Sequence, residues 1–234
     1  ETVSKNAYTG LLLVLVILAL FLRFKIAIWV AAGIPIAILG ALIAFPPMGL
    51  TISSLTVMGF ILVLGIVVDD AIVVGERVHA YEQKGLSKNA AAIEGTVEVS
   101  VPVIFGVLTT IAAFLPLLID NSQFGSFSKL IGGTVVFCLI ASLIESQLIL
   151  PGHIAHRKTK GYFMDGSRLV KAWQDFQGRI ASALENFAEL GYKRVLKVVL
   201  NYRYAAWAAA TGVICVVLAL LLSGRVVFQF MPSI

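Results

Sequence analysis

Six stretches of this sequence run for about twenty residues with almost no charge, and nothing else in the chain restricts its fold as strongly. A hydrocarbon core roughly 30 Å thick is crossed by a helix of about 20 residues, and only a helix satisfies its own backbone groups where water is absent. The stretches are approximately 7–22, 26–44, 55–78, 101–119, 127–151 and 204–222. Composition agrees, with 59% of residues hydrophobic and 13% charged, far from the mix of a water-soluble domain. The expectation is an all-α integral membrane protein: a polytopic bundle of six transmembrane helices with one interfacial amphipathic helix.

Lys and Arg accumulate in cytoplasmic loops, so their distribution orients the spans. If the turn Arg23-Phe24-Lys25 is cytoplasmic, the same side receives Arg77, Lys84 and Lys88, and the basic residues from Arg157 to Arg203. That accounts for all of the 18 Lys and Arg except Lys5, Lys129 and Arg225, and it directs both termini away from the cytoplasm. The net charge of +5 is therefore read as a topology signal and not as nucleic-acid binding, because no basic surface with interleaved aromatic residues is available.

Local signals mark the helix ends. Pro46 and Pro47 stop the second span, Thr51 or Ser53 is placed to cap the third, and Gly85 offers the third a stop well past the membrane edge. Residues 86–100 are expected to form a short interfacial helix capped by Ser87, feeding the fourth span at Pro102. Pro116 and Pro151 lie near span ends, where proline is tolerated. Cys138 and Cys215 fall inside spans and read as small buried thiols. The first residue is Glu, no cleavable signal is present, and "FQFMPSI" carries no terminating pattern, so the chain reads as a piece of something longer.

From 167 to 200 the pattern changes. Leu169, Trp173, Phe176, Ile180, Leu184, Phe187 and Leu190 recur at helical spacing, while Arg168, Lys171, Asp175, Arg179 and Glu185 occupy the remaining faces. The stretch is too charged to span. It suits an amphipathic helix along the cytoplasmic face of the membrane, or else a soluble helix packed on a cytoplasmic domain. The domain reading that follows is a five-helix bundle over 1–160, a linker helix over 161–202, a sixth span over 203–224, and the start of a periplasmic region over 225–234.

Asp69 and Asp70 stand side by side in "LGIVVDDAIVVGE", well inside the third span. A charged Asp near the membrane centre costs on the order of 2.5–3.5 kcal/mol on insertion scales. Protonating one of ordinary pKa at pH 7 costs about 4 kcal/mol instead. Neither state is cheap, so the site must supply a cation, water or both, and its protonation must depend on which is present. That is the chemistry of a proton-coupling group. Neighbouring side chains on a helix diverge by about 100°, so the two acids flank a partner rather than both pointing at it. An intramembrane aspartyl protease would need carboxyls converging on one water from two helices, and no second span carries an Asp. A purely structural hydrogen-bonded pair is the remaining alternative.

Glu145, in "LIESQLILP", either extends a polar path from the aspartates or is a structural acid near the interface. Thr109 and Thr110 either add hydroxyls to that path or hydrogen-bond between helices. His153 and His156 lack ligand partners at suitable spacing and read as interfacial polar residues. No metal or other cofactor is expected.

"GIVVDDAIVVGERV", followed by "PVIFGVLTTIAAFLPL" and "LILPGHIAHRK", resembles the transmembrane region of the resistance-nodulation-division (RND) exporters, the proton-driven multidrug efflux pumps of Gram-negative bacteria. The paired acids resemble the hydrophobe/amphiphile efflux branch. On this resemblance the six spans correspond to the family's second to seventh helices. It implies that Asp69 and Asp70 are proton-relay carboxylates facing a lysine from the other half of the transporter, since no Lys or Arg lies deep in any span here.

It further implies drug/proton antiport rather than enzymatic activity, a bacterial inner-membrane location, and a homotrimer working with a periplasmic adaptor and an outer-membrane channel. A protein-translocation or sterol-sensing relative is a second reading, and a structural piece that moves nothing is a third.

Overall fold

The computed structural model describes residues 24–120, 122, 125–156 and 168–224, together with the isolated positions 9, 10, 12, 13, 16 and 20. The expected span over 7–22 falls outside the described residues apart from those positions. Every regular element among the described residues is helical, and five helices are long and apolar enough to cross a membrane. The chain divides into two compact units, Glu1–Ser167 and Arg168–Ile234.

The first unit contains α1 (Phe24–Ile43), a 3-10 turn (Pro46–Met48), α2 (Ser54–Gln83), α3 (Lys88–Ile119) and α4 (Gly125–Ile144). A π-helical turn (Glu145–Ile149) then leads into α5 (Leu150–His156), so that Gly125–His156 is one unbroken rod. At 1.5 Å per residue, α1 is about 30 Å long and matches the hydrocarbon core, whereas the 30-residue α2 is about 45 Å long and must project beyond it or tilt.

Ser53 caps α2. Its backbone N–H donates to Thr56 Oγ1 at 2.7 Å and its hydroxyl accepts from the Thr56 N–H at 3.4 Å, so two donors at the helix start are satisfied reciprocally. The far end closes as a Schellman turn: Gly85 takes φ +89°, its N–H reaches the Glu82 carbonyl, and the Leu86 N–H reaches the Tyr81 carbonyl. Ser87 then caps the next helix through the Ala90 N–H. Here the structure differs from the sequence expectation. Residues 88–119 form one 32-residue helix, with Pro102 inside it, in place of a short helix feeding a separate span. The alanine-rich start, Ala90 to Ala92, has high helix propensity and carries the helix through the single donor that Pro102 removes.

Packing follows the sequence period. The buried residues of α2 are Thr56, Gly59, Val63, Val67, Val68, Ala71, Val74, Gly75 and Val78, a stripe at three- and four-residue spacing. α2 and α4 pack on each other, and both α1 and α3 pack against this pair. Two apolar clusters result. One joins Val30 and Ile34 of α1, Ala71 and Val74 of α2 and Leu150 and Ile154 of α5; the other joins Ala37 and Ala41, Val63 and Val67, and Val135 and Leu139 of α4.

Glycines allow the close approaches that helix association in lipid relies on. A Cβ on Gly95 of α3 would stand 2.7 Å from the Val78 Cα, so the two backbones nearly touch. Beside that crossing, Arg77 of α2 pairs with Glu98 of α3, both partly exposed.

The second unit contains α6 (Arg168–Asn186), a π-helical turn (Phe187–Tyr192), α7 (Lys193–Asn201) and the apolar α8 (Arg203–Leu222). The amphipathic stretch is thus helical throughout, and the Trp173 and Phe176 rings lie 6.0 Å apart on it.

Candidate functional site

The aspartates sit at the edge of the buried stripe of α2. Asp70 is three residues past Val67 and lies within about 60° of it around the helix axis; Asp69, two residues past, is turned to the opposite side. Asp69 is accordingly exposed and Asp70 half-buried. The Oδ2 atom of Asp70 is fully buried and meets no hydrogen-bond partner among the described residues. A buried carboxylate oxygen without a partner loses its hydration with nothing in return, which makes this the least comfortable polar atom in the α2 stripe.

Glu145 stands at the same level. Gly59 of α2 faces Thr134 of α4, and the Ser142 hydroxyl donates to the Val67 carbonyl at 3.4 Å. The partner numbers differ by the same 75 residues in both cases (134 less 59, 142 less 67), so α2 and α4 run parallel and in register. One turn further, the same offset carries Asp70 to Glu145. Glu145 is only 3% exposed, and its carboxyl lies against Gly33 of α1, where a Cβ would stand 2.7 Å from both Cδ and Oε1. No described residue hydrogen-bonds that carboxyl.

The site is therefore a thin polar layer of Asp70, Ser142, Glu145 and Ser146, placed where the two apolar clusters meet. Each of these carboxyls is costly as a bare anion between apolar layers, because it has given up water without gaining a hydrogen bond among the described residues. Such a layer can take up and hand on a proton.

The π turn belongs to this layer. Glu145 opens it, and the Leu150 N–H reaches back five residues to the Glu145 carbonyl. Pro151 lacks an N–H, so a carbonyl in the preceding turn is left without its helical donor, and the wider turn accommodates the proline ring. Within the turn, the Nε2 of Gln147 is buried and meets no partner among the described residues.

Thr109 and Thr110 lie apart from the acids. Both hydroxyls donate to the Gly106 carbonyl of their own helix, at 2.8 and 2.9 Å. Gly95 of α3 faces Val78 of the antiparallel α2, which puts Thr109 roughly 9 Å further along the bundle than Asp70.

Gly33 and the π turn are absent from the sequence reading. The signal for Gly33 is weak, a glycine among alanines in "VAAGIP"; the signal for the π turn is Pro151 placed six residues after a buried acid.

Comparison with known proteins decides the family. The AcrB/AcrD/AcrF family model matches residues 1–234, the whole chain. The chain belongs to the AcrB/AcrD/AcrF family. It is 30% identical over 208 residues to the swarming motility protein SwrC of Bacillus subtilis, covering 87% of this chain and 19% of that protein. It is 30% identical over 217 residues to the multidrug resistance protein MdtC of Escherichia coli O139:H28, covering 92% of this chain and 20% of the relative. MdtC of Pantoea ananatis is likewise 30% identical over 208 residues, 88% of this chain and 19% of that protein. The chain thus spans about a fifth of the length of these relatives. The RND assignment expected from "GIVVDDAIVVGERV" holds, and in this AcrB/AcrD/AcrF-family chain that motif forms the α2 side of the polar layer.

Proposed function

We propose that this chain is the transmembrane proton-translocating part of an RND-type drug/proton antiporter that exports hydrophobic or amphiphilic compounds. Asp69 and Asp70 cycle between a protonated state and a state paired with a cation supplied by the other half of the transporter. The observation that carries this reading is the buried, unpartnered Oδ2 of Asp70, level with a second buried carboxyl in an otherwise apolar bundle. An acid so placed is tolerable when a proton or a cation visits it.

Asp69, on the exposed side of α2, is the acid free to meet a helix from outside this chain. The basic residues crowded beyond the Gly85 and His156 ends support a cytoplasmic placement of those ends in a bacterial inner membrane, with both termini outside. The family resemblance adds a homotrimer with a periplasmic adaptor and an outer-membrane channel. Glu145 belongs to the proton path on this reading; Thr109 and Thr110, bonded to their own helix, contribute less directly.

The test is drug-dependent proton flux by the full-length transporter in proteoliposomes under a pH gradient. Asp69→Asn and Asp70→Asn are each expected to abolish it. Flux at the wild-type level in both variants would contradict the assignment.

A further inference from the structure

We propose that Glu145 and His153 form a proton route along the seam between α1 and the α4–α5 rod, connecting Asp70 to the aqueous side at the His156 end. The inference rests on the relay reading above and extends it to the side chains that deliver or remove the proton.

Trp29 and Gly33 are four residues apart and lie on one face of α1. Gly33 receives the Glu145 carboxyl, and the Trp29 ring packs on the His153 ring with centroids 4.8 Å apart. The acid and the imidazole are therefore strung along one seam, eight residues or about 12 Å of rise apart on the rod. Below them lies a shallow, open groove of about 350 Å³ lined by Trp29, Ile149, Gly152, His153 and His156. Water occupies about 30 Å³ per molecule in the liquid, so the groove has room for several of them. Between the groove and Glu145 lies the π turn, with the Gln147 Nε2, which meets no partner among the described residues, and the carbonyl released by Pro151, both suited to holding water in line.

The ring of His153 is oriented for the task. Its Nδ1 lies 2.9 Å from the Ile149 carbonyl, and a carbonyl only accepts, so Nδ1 carries the hydrogen and Nε2 keeps a free lone pair. His156 repeats the arrangement on the Gly152 carbonyl at 2.8 Å, nearer the end of the rod. The proton passes from the Asp70 acid to the Glu145 carboxylate, leaving Asp70 ionised. From the Glu145 acid it passes along water in the π turn to His153 Nε2, giving an imidazolium, and then to bulk water, which restores the neutral ring. The reverse order fills the site. Of the elements packed along this seam, α1 carries Lys25 one turn before Trp29, α2 carries Asp70 and the half-buried His79–Glu82 pair, and Arg77 of α2 is held by Glu98 of α3.

The experiment uses the full-length transporter in proteoliposomes, comparing the wild type with Asp70→Asn, Glu145→Gln and His153→Ala. Glu145→Gln and His153→Ala should each lower drug-coupled proton flux about a hundredfold, the low end of the range that a positioned proton-transfer group contributes, while drug binding is unchanged. Imidazole added on the groove side should restore flux to His153→Ala, where it fills the vacated ring site, and leave Glu145→Gln unchanged. Wild-type flux in Glu145→Gln and His153→Ala, with Asp70→Asn inactive, would overturn the route and leave the relay standing. A loss in His153→Ala that imidazole does not repair also counts against the route. Wild-type flux in Asp70→Asn would remove the relay and the route together.

Discussion

The Glu145 carboxyl fills the space that a side chain at residue 33 would need: a Cβ on Gly33 would lie 2.7 Å from Cδ and from Oε1, and 2.8 Å from Oε2. The glycine and the acid are complementary across the α1–α4 seam. The glycine leaves room for the carboxyl, since the backbone of α1 at that point is ordinary helix.

Gly33→Ala should force the Glu145 carboxyl, the movable end of its side chain, aside, and with alanine gaining about 1 kcal/mol of helix propensity the net change in stability should stay within about 1 kcal/mol of zero. In a Glu145→Ala background the same substitution should be more favourable, because the methyl group then enters space already cleared. A four-member thermal-denaturation cycle in detergent measures the difference. Equal changes in the two backgrounds would mean that the Glu145 carboxyl does not depend on the room at Gly33.

Asp120, at the end of α3, contributes to the acid side of the pH dependence. The Ser122 N–H at 2.8 Å and the Ser122 hydroxyl at 3.0 Å hold this carboxyl below the usual range near 3.8. A carboxyl depressed on folding adds stability that is fully present above its unfolded pKa and disappears as pH falls through its folded one. Melting temperature should thus drop on acidification below about pH 4, where an ordinary Asp begins to protonate. Asp120→Asn should flatten part of that drop while changing little at pH 7 relative to its own acid value. An acid limb of the same slope in both proteins would show that the turn does not depend on this carboxylate.

Residues 168–201 should lie in the headgroup region, with the Trp173 and Phe176 rings towards lipid. In a protein whose other tryptophans, Trp29 and Trp207, are replaced by Phe, brominated lipid should quench Trp173 strongly and aqueous iodide weakly. The opposite ranking would place this helix in water.

The parts of this fold that were legible in the sequence are those governed by neighbours along the chain. The apolar runs from 24 to 156 and from 203 to 222 have the length and period of membrane helices, and Ser53, Ser87 and Gly85 mark ends because capping is a contact over three to five residues. For residues 86–100, polarity and the nearby Pro102 both suggest a break and so a separate helix. The observed continuity to Ile119 follows from helical propensity on both sides of a proline that costs a single donor.

The aspartates stood out because a carboxylate in an apolar span is expensive wherever it points. The role of Glu145 stayed open at that level. Its slot against Gly33 depends on α1 packing antiparallel to the α4–α5 rod and its alignment with Asp70 on α2 and α4 packing in parallel, both across more than 70 residues of sequence, and the offset of 75 residues between α2 and α4 appears in no local pattern.

The central claim is that Asp70 gains and loses a proton as the transporter works. The most direct test is infrared difference spectroscopy of the full-length protein in lipid, between drug-free and drug-loaded states, comparing the wild type with Asp70→Asn. The account predicts a protonated-carboxyl band that changes between the two states and vanishes from the difference spectrum in Asp70→Asn. An identical carboxyl region in the two proteins would contradict it.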